Sequence, residues 1–347
     1  MNNTFLLCSD CFKDVGLKLD SFKIGMKSKK ACLNCKSEEG KKLNSKLIAT
    51  LAYRFFVRGT LHKTKYGAAP IIQFNEHQET SINVSEELRN DIELIEKAIH
   101  VGFFYYGPRL WMVGDVEPLE ALQSKSARRK IIKRIINEYP TKILSKKETF
   151  FRLRKNPDNS SSFNQYDSPP VSGSGRLNSQ DLPILYGSQD LEVCIHECRV
   201  TVEDELFVAS LCPTKDLKLL DLTELLEEGT TEFESLDIAI HMLFLAGSHS
   251  YEICRDIALF AKKAGYDGIV YPSYFSTIRT GAVPFDTVYG ISIRKFPLYT
   301  DYAKSQVIPN LALFGNPIKE GSVTVKCINK LILNKVQYDF QFGPVNY

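Results

Sequence analysis

The sequence lacks the features of a membrane-spanning or exported chain. No window approaches 18 consecutive apolar residues, the length that a transmembrane helix requires. The first residues, MNNTFLLCSDCFK, have neither the basic start nor the apolar core of a secretory signal. The nine cysteines are an odd number and do not resemble the framework of a small disulfide-rich protein. We therefore expect a cytoplasmic protein without a membrane partner.

A strong net charge is also missing, because the whole chain carries only +3 over 347 residues. The positive charge is concentrated between Lys125 and Lys155, where twelve Lys and Arg residues accompany two acidic ones. A basic surface of this kind can bind the phosphates of a dinucleotide or of a nucleic acid, although it can equally be a solvated helix face. The length predicts two or three domains, and 44% hydrophobic residues are enough for a sizeable core.

Two CxxC pairs near the N-terminus predict a metal site. Their sequences are CSDC and CLNC, separated by twenty residues, and the four cysteines are Cys8, Cys11, Cys32 and Cys35. Each pair places two sulfurs on one side of a tight turn, and two such turns can surround a tetrahedral Zn²⁺ with no open position, as in a structural site. The segment between them alternates like strands and predicts a short hairpin, so residues 1–42 are expected to form a zinc ribbon. Free structural thiols and redox pairs are the alternatives.

The following segment has the spacing of amphipathic helices from about Leu43 to Tyr139, and Pro140 ends the pattern. We therefore predict an all-helical middle domain over residues 43–145. His62 and His100 lie in it, and lone histidines on helices are more often surface or core residues than ligands.

From residue 146 the pattern changes to mixed α/β. Strands are predicted at 149–155, 182–187, 205–212, 217–223 and 268–273, with helices at 190–200 and 250–265, the latter ended by Gly265. The segment 156–176 is rich in Ser, Asn, Pro and Gly and reads as a loop within this domain.

Polar residues at unusual places in this half point to an anionic ligand. Arg152 and Arg154 share one side of a period-two strand, and Arg176 lies in a turn after Gly175. Arginine binds phosphates and carboxylates with two parallel hydrogen bonds. Tyr186 ends an apolar strand, and Glu197 lies among the weakly polar Cys194, Ile195 and Cys198. Taken singly, each of these residues has an ordinary explanation as a surface or packing residue.

The ordered set FFRLRKNP, SPP, GRLN, LPILYGSQDLEVCIHECRV and YEICRDIALFAKKAGYDGIVYPS resembles the RES domain, over about residues 148–295. The upstream part looks like the zinc-ribbon and helical, HEPN-like region that precedes some RES domains. It has no Arg-x4–6-His ribonuclease motif, since only three residues separate Arg58 from His62. Two departures are a charged insertion at 221–250 and a tail of about fifty residues, in which NLALFG is a candidate for a displaced final strand.

The resemblance implies an ADP-ribosyltransferase-like fold and a bacterial toxin that depletes NAD⁺ by cleaving its nicotinamide–ribose bond. It assigns the family's arginines to Arg152 and Arg176, its tyrosine to Tyr186, its glutamate to Glu197 and its serine to Ser273. Glu197 would stabilise the ribose cation, the arginines would bind the pyrophosphate, Tyr186 would stack on the nicotinamide or ribose, and Ser273 would hydrogen-bond nearby. His196 is expected to face away from this site.

The sequence therefore predicts an α+β multidomain protein: a zinc ribbon at 1–42, a helical domain at 43–145 and a RES catalytic domain with an extension at 146–347. The predicted function is that of an NAD⁺ glycohydrolase or phosphorylase acting as a toxin or defence effector, with structural Zn²⁺ and an antitoxin or immunity partner. The alternatives are a protein ADP-ribosyltransferase, or a nucleic-acid-binding module that uses the zinc knuckle and the basic helix.

Overall fold

The computed structural model describes residues 5–64, 67–106, 116–169, 175–245, 248–275, 287–288, 291–292, 307–336 and 340–345. Contacts between residues divide the chain into two compact units. The first comprises Met1–Thr64, Ala68–Trp111 and Tyr338–Tyr347, and the second comprises Lys65–Gly67 and Met112–Gln337. Within the described residues no helix is long and apolar enough to cross a membrane.

The first unit contains short strands and three helices among its described residues. These elements are β1 (Leu7–Cys8), α1 (Val15–Ile24), β2 (Lys42–Leu43), α2 (Ser45–Ala52), β3 (Leu61–Thr64), β4 (Gly67–Pro70), β5 (Ile72–Asn75), α3 (Glu86–Ile99) and β6 (Gly102–Tyr105). The strands pair in three two-stranded sheets, β1 with β2, β3 with β4 and β5 with β6.

The expected hairpin between the two cysteine pairs is wrong, because α1 occupies this segment. The Asp14 carboxylate caps the helix by accepting the Leu17 amide at 2.8 Å. The buried Asp91 carboxylate of α3 accepts the amides of Lys13 and Asp14 at 2.8 to 3.0 Å. A helix start fixed from both sides therefore outweighs the strand-like alternation of the sequence.

The all-helical expectation for 43–145 is also wrong, since strands β3 to β6 lie within this range. Helix α3 ends at Ile99, followed by His100 in a left-handed conformation with φ 54°. The aromatic run after it forms β6, which pairs with β5, and the buried Phe103 joins the core with Phe56. Aromatic residues favour a strand where the chain can pair and bury them.

The C-terminal residues 340–345 belong to the first unit. The Phe342 amide donates to the Asp20 carboxylate at 3.0 Å, and the Gln341 side chain donates to the Arg54 carbonyl at 3.0 Å. The domain boundaries at residues 42 and 145 remain predictions.

The described strands of the second unit form three β-sheets, which combine with helices. Its elements are α4 (Glu117–Gln123), α5 (Lys125–Glu138), β7 (Thr141–Leu144), β8 (Phe150–Lys155), β9 (Ile184–Gly187), α6 (Leu191–Glu197), β10 (Leu206–Pro213), β11 (Leu217–Asp221), α7 (Leu236–Leu245), α8 (Tyr251–Lys263), β12 (Gly268–Pro272), β13 (Thr287–Val288), β14 (Ile291–Ser292), β15 (Pro309–Phe314) and β16 (Val323–Leu331). The predicted strands and helices after residue 146 are thus present, and α7 lies in the charged insertion. Residues 281–293, GAVPFDTVYGISI, lie outside the described residues apart from β13 and β14.

The two larger sheets of this unit have the strand orders β16-β10-β8 and β7-β11-β12-β15-β9. One buried apolar cluster contains residues of both sheets, among them Phe150 and Leu211 from the first and Val270, Leu311 and Leu185 from the second. Side chains alternate along a strand, so the residues adjacent to Val270 and to Leu311 point to the other face of the five-stranded sheet. This opposite face carries the polar residues of the site.

Strand β15 is an interior strand of the five-stranded sheet. It pairs antiparallel with β12 on one side and with β9 on the other. Its sequence is PNLALF, so the apolar run near the C-terminus forms a strand of this sheet. The extension after the RES-like segment therefore supplies part of the domain's fold.

Candidate active site and metal centre

Glu197 ends helix α6 and is held by two neutral donors from different strands. The Ser273 hydroxyl, just after β12, donates to its Oε1 at 2.7 Å. The Asn310 side-chain amide, on β15, donates to the same oxygen at 2.6 Å. Helix α6 begins at Asp190, whose carboxylate accepts the amides of Glu192 and Val193. The local fold thus places the glutamate at the end of β12 and the start of β15.

The sheet register places four polar side chains on the same face. Tyr271 lies opposite Asn310, and Tyr186 lies opposite Ala312, two positions further along β15. Residues directly opposite each other, and residues two apart, share a face. Ser273 follows Tyr271 by two positions, and its amide donates to the Ile308 carbonyl at 2.9 Å, which continues the pairing. Burial, followed by the charge of Glu197, raises the pKa of Tyr271 well above its usual value, so this hydroxyl stays protonated beside the carboxylate.

Tyr186 fixes the turn that carries Arg176. Its hydroxyl accepts the amides of Leu177 at 2.9 Å and Asn178 at 3.2 Å, and it donates to the Asn178 side-chain oxygen at 3.2 Å. Burial raises the pKa of Tyr186 to about 12, against an ordinary value near 10. The hydroxyl is therefore a neutral donor and acceptor at physiological pH.

Arg176 is half-buried between aromatic rings of the helices that cover this face. Its guanidinium carbon lies 4.8 Å from the Tyr251 ring centroid and 5.9 Å from that of Phe244. One guanidinium nitrogen also approaches the Leu243 carbonyl, at 3.4 Å. Phe244 packs on Tyr271 with ring centroids 5.4 Å apart, so Arg176 lies close to the polar face. The contacts with Tyr251 and Leu243 restrict the rotation of the Arg176 guanidinium.

Arg152 and Arg154 lie on one side of β8, as predicted, and both are engaged with backbone carbonyls. Arg152 is 4% exposed and donates to the carbonyls of Tyr186 at 2.7 Å and Asp167 at 2.9 Å. Arg154 donates to the carbonyls of Gln165 and Asp167, each at 2.7 Å. Burial, with the charge of Arg154 next, lowers the pKa of Arg152 to about 9. The Arg152 Nε is buried without a hydrogen-bond partner among the described residues, so one donor of this group is unused.

The cysteines beside Glu197 are packing groups. The thiols of Cys194 and Cys198 donate to the carbonyls of Phe151 and Leu153 on β8, at 3.4 and 3.8 Å. Burial raises the pKa of Cys194 to about 12, so it remains a neutral thiol. His196 instead stacks on the Phe275 ring with centroids 5.7 Å apart.

The predicted metal ligands lie together in the first unit. The sulfur atoms of Cys8, Cys11, Cys32 and Cys35 all lie within 4.8 Å of one another. Three sulfur pairs are 3.4 to 3.7 Å apart: Cys8 with Cys11, Cys8 with Cys35, and Cys11 with Cys32. Sulfurs bound tetrahedrally at about 2.3 Å from Zn²⁺ are separated by roughly 3.8 Å, so this set fits such an ion.

The loop that carries the second cysteine pair is closed by a buried lysine. The Lys42 ammonium donates to the carbonyls of Ser37, at 2.8 Å, and of Glu39. Burial raises the pKa of Cys35, but the Ser37 amide and the neighbouring thiols outweigh it and leave that pKa below its usual range. The surroundings of Cys35 therefore favour its thiolate, whereas burial raises the pKa of Cys8 and of Cys11.

The sequence patterns and the family resemblance predicted Glu197, Arg176, Tyr186 and Ser273 as site residues. The structure places Ser273 in contact with Glu197, and the Tyr186 hydroxyl in contact with the turn that carries Arg176. The sequence did not point to Asn310 or Tyr271. Tyr271 lies two residues before Ser273 on a strand, a spacing that could have assigned it to the same face. Asn310 had only its place at the start of the displaced apolar run as a signal.

The comparison with protein families matches a segment of the second unit. The model of the family described as RES domain matches residues 149–283. No curated protein matches the sequence. Among solved structures, the M. tuberculosis MbcT–MbcA toxin–antitoxin complex matches with 13% identity over 58% of this chain and 91% of the solved chain, with a TM-score of 0.31. Such a TM-score is too low for an argument about fold, so the family match carries the assignment. Residues 149–283 of this chain are a RES domain.

Proposed function

We propose that the second unit is an NAD⁺-consuming enzyme that cleaves the bond between nicotinamide and ribose. The observation that carries the proposal is the Glu197 carboxylate, fixed by Ser273 and Asn310 within a RES domain. Both donors to this carboxylate are neutral groups, so these contacts bring no positive charge to it. The polar sheet face around it combines an anion with an arginine, which suits a substrate that has both a cationic ring and phosphates.

The chemistry requires an anion near the reacting ribose. When the bond from C1′ to the nicotinamide nitrogen breaks, the electron pair leaves with neutral nicotinamide and the ribose becomes oxocarbenium-like. Unit charges about 4 Å apart interact by ~4 kcal/mol at an effective dielectric of ~20, and partial charge development could then contribute about 10²-fold in rate. Glu197 supplies this charge. Water then bonds to C1′ and loses a proton, which gives ADP-ribose, whereas inorganic phosphate would give a phosphorylated ADP-ribose.

Other residues bind and orient the substrate. Arg176 is the residue that we assign to an anionic group of NAD⁺ such as the pyrophosphate, and its stacking on Tyr251 limits its rotation. Tyr186 holds the turn of Arg176 through its hydroxyl and offers its ring to the nicotinamide or ribose. Arg152 donates to the β9 backbone at Tyr186 and so fixes the strand that carries Tyr186, while its own Nε is buried. Ser273 acts on Glu197, to which it donates.

The biological role that we propose is that of a toxin or defence effector, restrained by an antitoxin or immunity partner. The RES domain supports this role, because the family resemblance implies toxins of toxin–antitoxin pairs. No observation favours the nucleic-acid alternative. In the basic window, Arg128 pairs with Glu252 and Asp256 at 2.9 and 2.7 Å, and Arg134 pairs with Glu138.

We also propose that the four cysteines bind one structural Zn²⁺. Cys8, Cys11, Cys32 and Cys35 would occupy all four positions, and the bound ion would cross-link the N-terminal turns. No step of the reaction is assigned to it.

The purified chain, incubated with NAD⁺ with and without phosphate, tests the enzymatic proposal through the release of free nicotinamide. We expect release by the wild type and a loss of at least about 10²-fold in Glu197→Gln, which removes the charge and keeps the shape. Isotope-labelled NAD⁺ separates the acceptors, because label on a polypeptide would identify a protein ADP-ribosyltransferase. Equal release by wild type and Glu197→Gln, or none by the wild type, contradicts the proposal.

A further inference from the structure

Asn310 lies outside the segment that matches the RES domain, yet it contacts the central carboxylate of the site. The match ends at residue 283, and Asn310 is on β15, in the extension. We propose that Asn310 is a positioning residue: together with Ser273 it holds Oε1 of Glu197, so that Oε2 is the oxygen presented to the substrate. This inference rests on the proposed function and adds to it a residue and an atomic division of roles.

The contacts of the carboxylate support this division. Among the described residues, only Ser273 and Asn310 donate to Glu197, and both donate to Oε1, at 2.7 and 2.6 Å. Hydrogen bonds to a charged acceptor are shorter and stronger than neutral ones, and these lengths are typical of them. Two such bonds on one oxygen define the rotation of the carboxylate and leave the lone pairs of Oε2 for the ribose.

The position of Asn310 is itself fixed. The residue is 3% exposed, lies opposite Tyr271, and belongs to a strand paired on both sides. Ser273 is fully buried, and its hydroxyl also accepts the Phe275 amide at 3.1 Å, so its proton is directed to Glu197. Both donors are therefore preorganised, and the carboxylate does not have to reorient when the ribose cation forms.

The chemistry of the amide limits its role to positioning. An asparagine amide has no proton to transfer at physiological pH and is a poor nucleophile, but its NH₂ group donates. A glutamate without the second donor would sample other rotations about its terminal bond, which is a broad torsion. The loss should then appear in the chemical step, because Asn310 stabilises the reactive arrangement of Glu197.

Three variants test the role: Asn310→Ala, Asn310→Asp and, as a matched control, Asn329→Ala at an exposed asparagine of strand β16. We expect Asn310→Ala to lower kcat for nicotinamide release by about 10- to 10²-fold, with KM for NAD⁺ within about twofold. Asn310→Asp should be more damaging than Asn310→Ala, since it sets a second carboxylate against Oε1. A purely structural role predicts instead that Asn310→Ala lowers the free energy of unfolding and leaves the kcat of the folded enzyme unchanged. Asn329→Ala should behave as the wild type.

A crystal structure of Asn310→Ala gives a readout that does not depend on activity. We expect the Glu197 carboxylate to rotate away from its wild-type position, with the Ser273 contact kept at most in part. If the carboxylate stays in place, or if Asn310→Asp is as active as the wild type, the positioning role is wrong. If the wild type releases no nicotinamide, the proposed function fails, and the crystal structure alone then decides whether Asn310 positions Glu197.

Discussion

At the scale of single residues, the site consists of side chains that are distant in sequence and are linked by hydrogen bonds to the same atom. Glu197 joins an α-helix to two strands through one oxygen, and Tyr186 joins a strand to the turn of Arg176 through one hydroxyl. Each atom with several partners is a point where a small chemical change has a large effect, because it leaves buried donors unsatisfied.

Tyr186→Phe is the substitution that isolates the shared hydroxyl. It leaves the amides of Leu177 and Asn178 without their acceptor, so we expect the free energy of unfolding to fall by about 1–3 kcal/mol. KM for NAD⁺ should rise, since the turn carries Arg176. Denaturant unfolding measures the first effect and nicotinamide release the second. The exposed Tyr274 offers the control Tyr274→Phe, and equal stability of the two variants would contradict the proposed role of the hydroxyl.

The pKa of Tyr186 gives this substitution a pH signature. The folded state keeps the proton to a pH of about 12, whereas an unfolded tyrosine loses it near 10. Between these values the folded state binds more protons, so wild-type stability declines as the pH rises. The decline should be shallower in Tyr186→Phe, which lacks that proton.

At the scale of elements, the helix that carries Glu197 depends on its N-cap. Asp190→Ala removes the acceptor of the Glu192 and Val193 amides, and we expect a loss of about 0.5–2 kcal/mol in the free energy of unfolding, with lower kcat. Thermal or denaturant unfolding measures it. Glu192→Ala, two residues further along in the first turn of the same helix, should change stability by less. A larger effect there would rule out capping as the cause.

How far the sequence predicted the elements depends on where their hydrogen bonds go. Helices α6 and α8 and strands β8 to β12 were predicted, because their apolar patterns, and for α6 the Asp190 cap, are local in the sequence. Helix α1 and strands β5 and β6 were not. The start of α1 is fixed by Asp91, far along the chain, and β6 exists through its pairing with β5. Asn310 escaped for the same reason, since its role depends on the register of β15 against β12.

At the scale of the whole molecule, net charge proved a weaker guide than local pairing. The window from Lys125 to Lys155 is +10 in the sequence, but Arg152 and Arg154 are engaged with backbone carbonyls, and Arg128 is neutralised by two acids of α8. The basic residues of this window therefore serve in part to connect elements of the fold to one another. Formal charge counts include such groups, although they are not available to a phosphate partner.

The two compact units make the metal and the reaction separable. The four cysteines belong to the first unit, whereas Glu197, Ser273 and Asn310 belong to the second. We expect one zinc per chain by mass spectrometry or atomic absorption, and loss of zinc with unfolding of the first unit in Cys11→Ser. Nicotinamide release by that variant should stay within about threefold of the wild type, because every group that touches the carboxylate is retained.

The exposed Cys327 on β16 provides the control for the metal experiment, since Cys327→Ser should keep both zinc and activity. Zinc bound by Cys11→Ser with the affinity of the wild type would show that Cys11 is not a ligand. Activity that falls in proportion to zinc would show instead that the metal supports the reaction as well as the fold. A variant without zinc but with normal nicotinamide release assigns the ion to the structure of the first unit and the chemistry to the second.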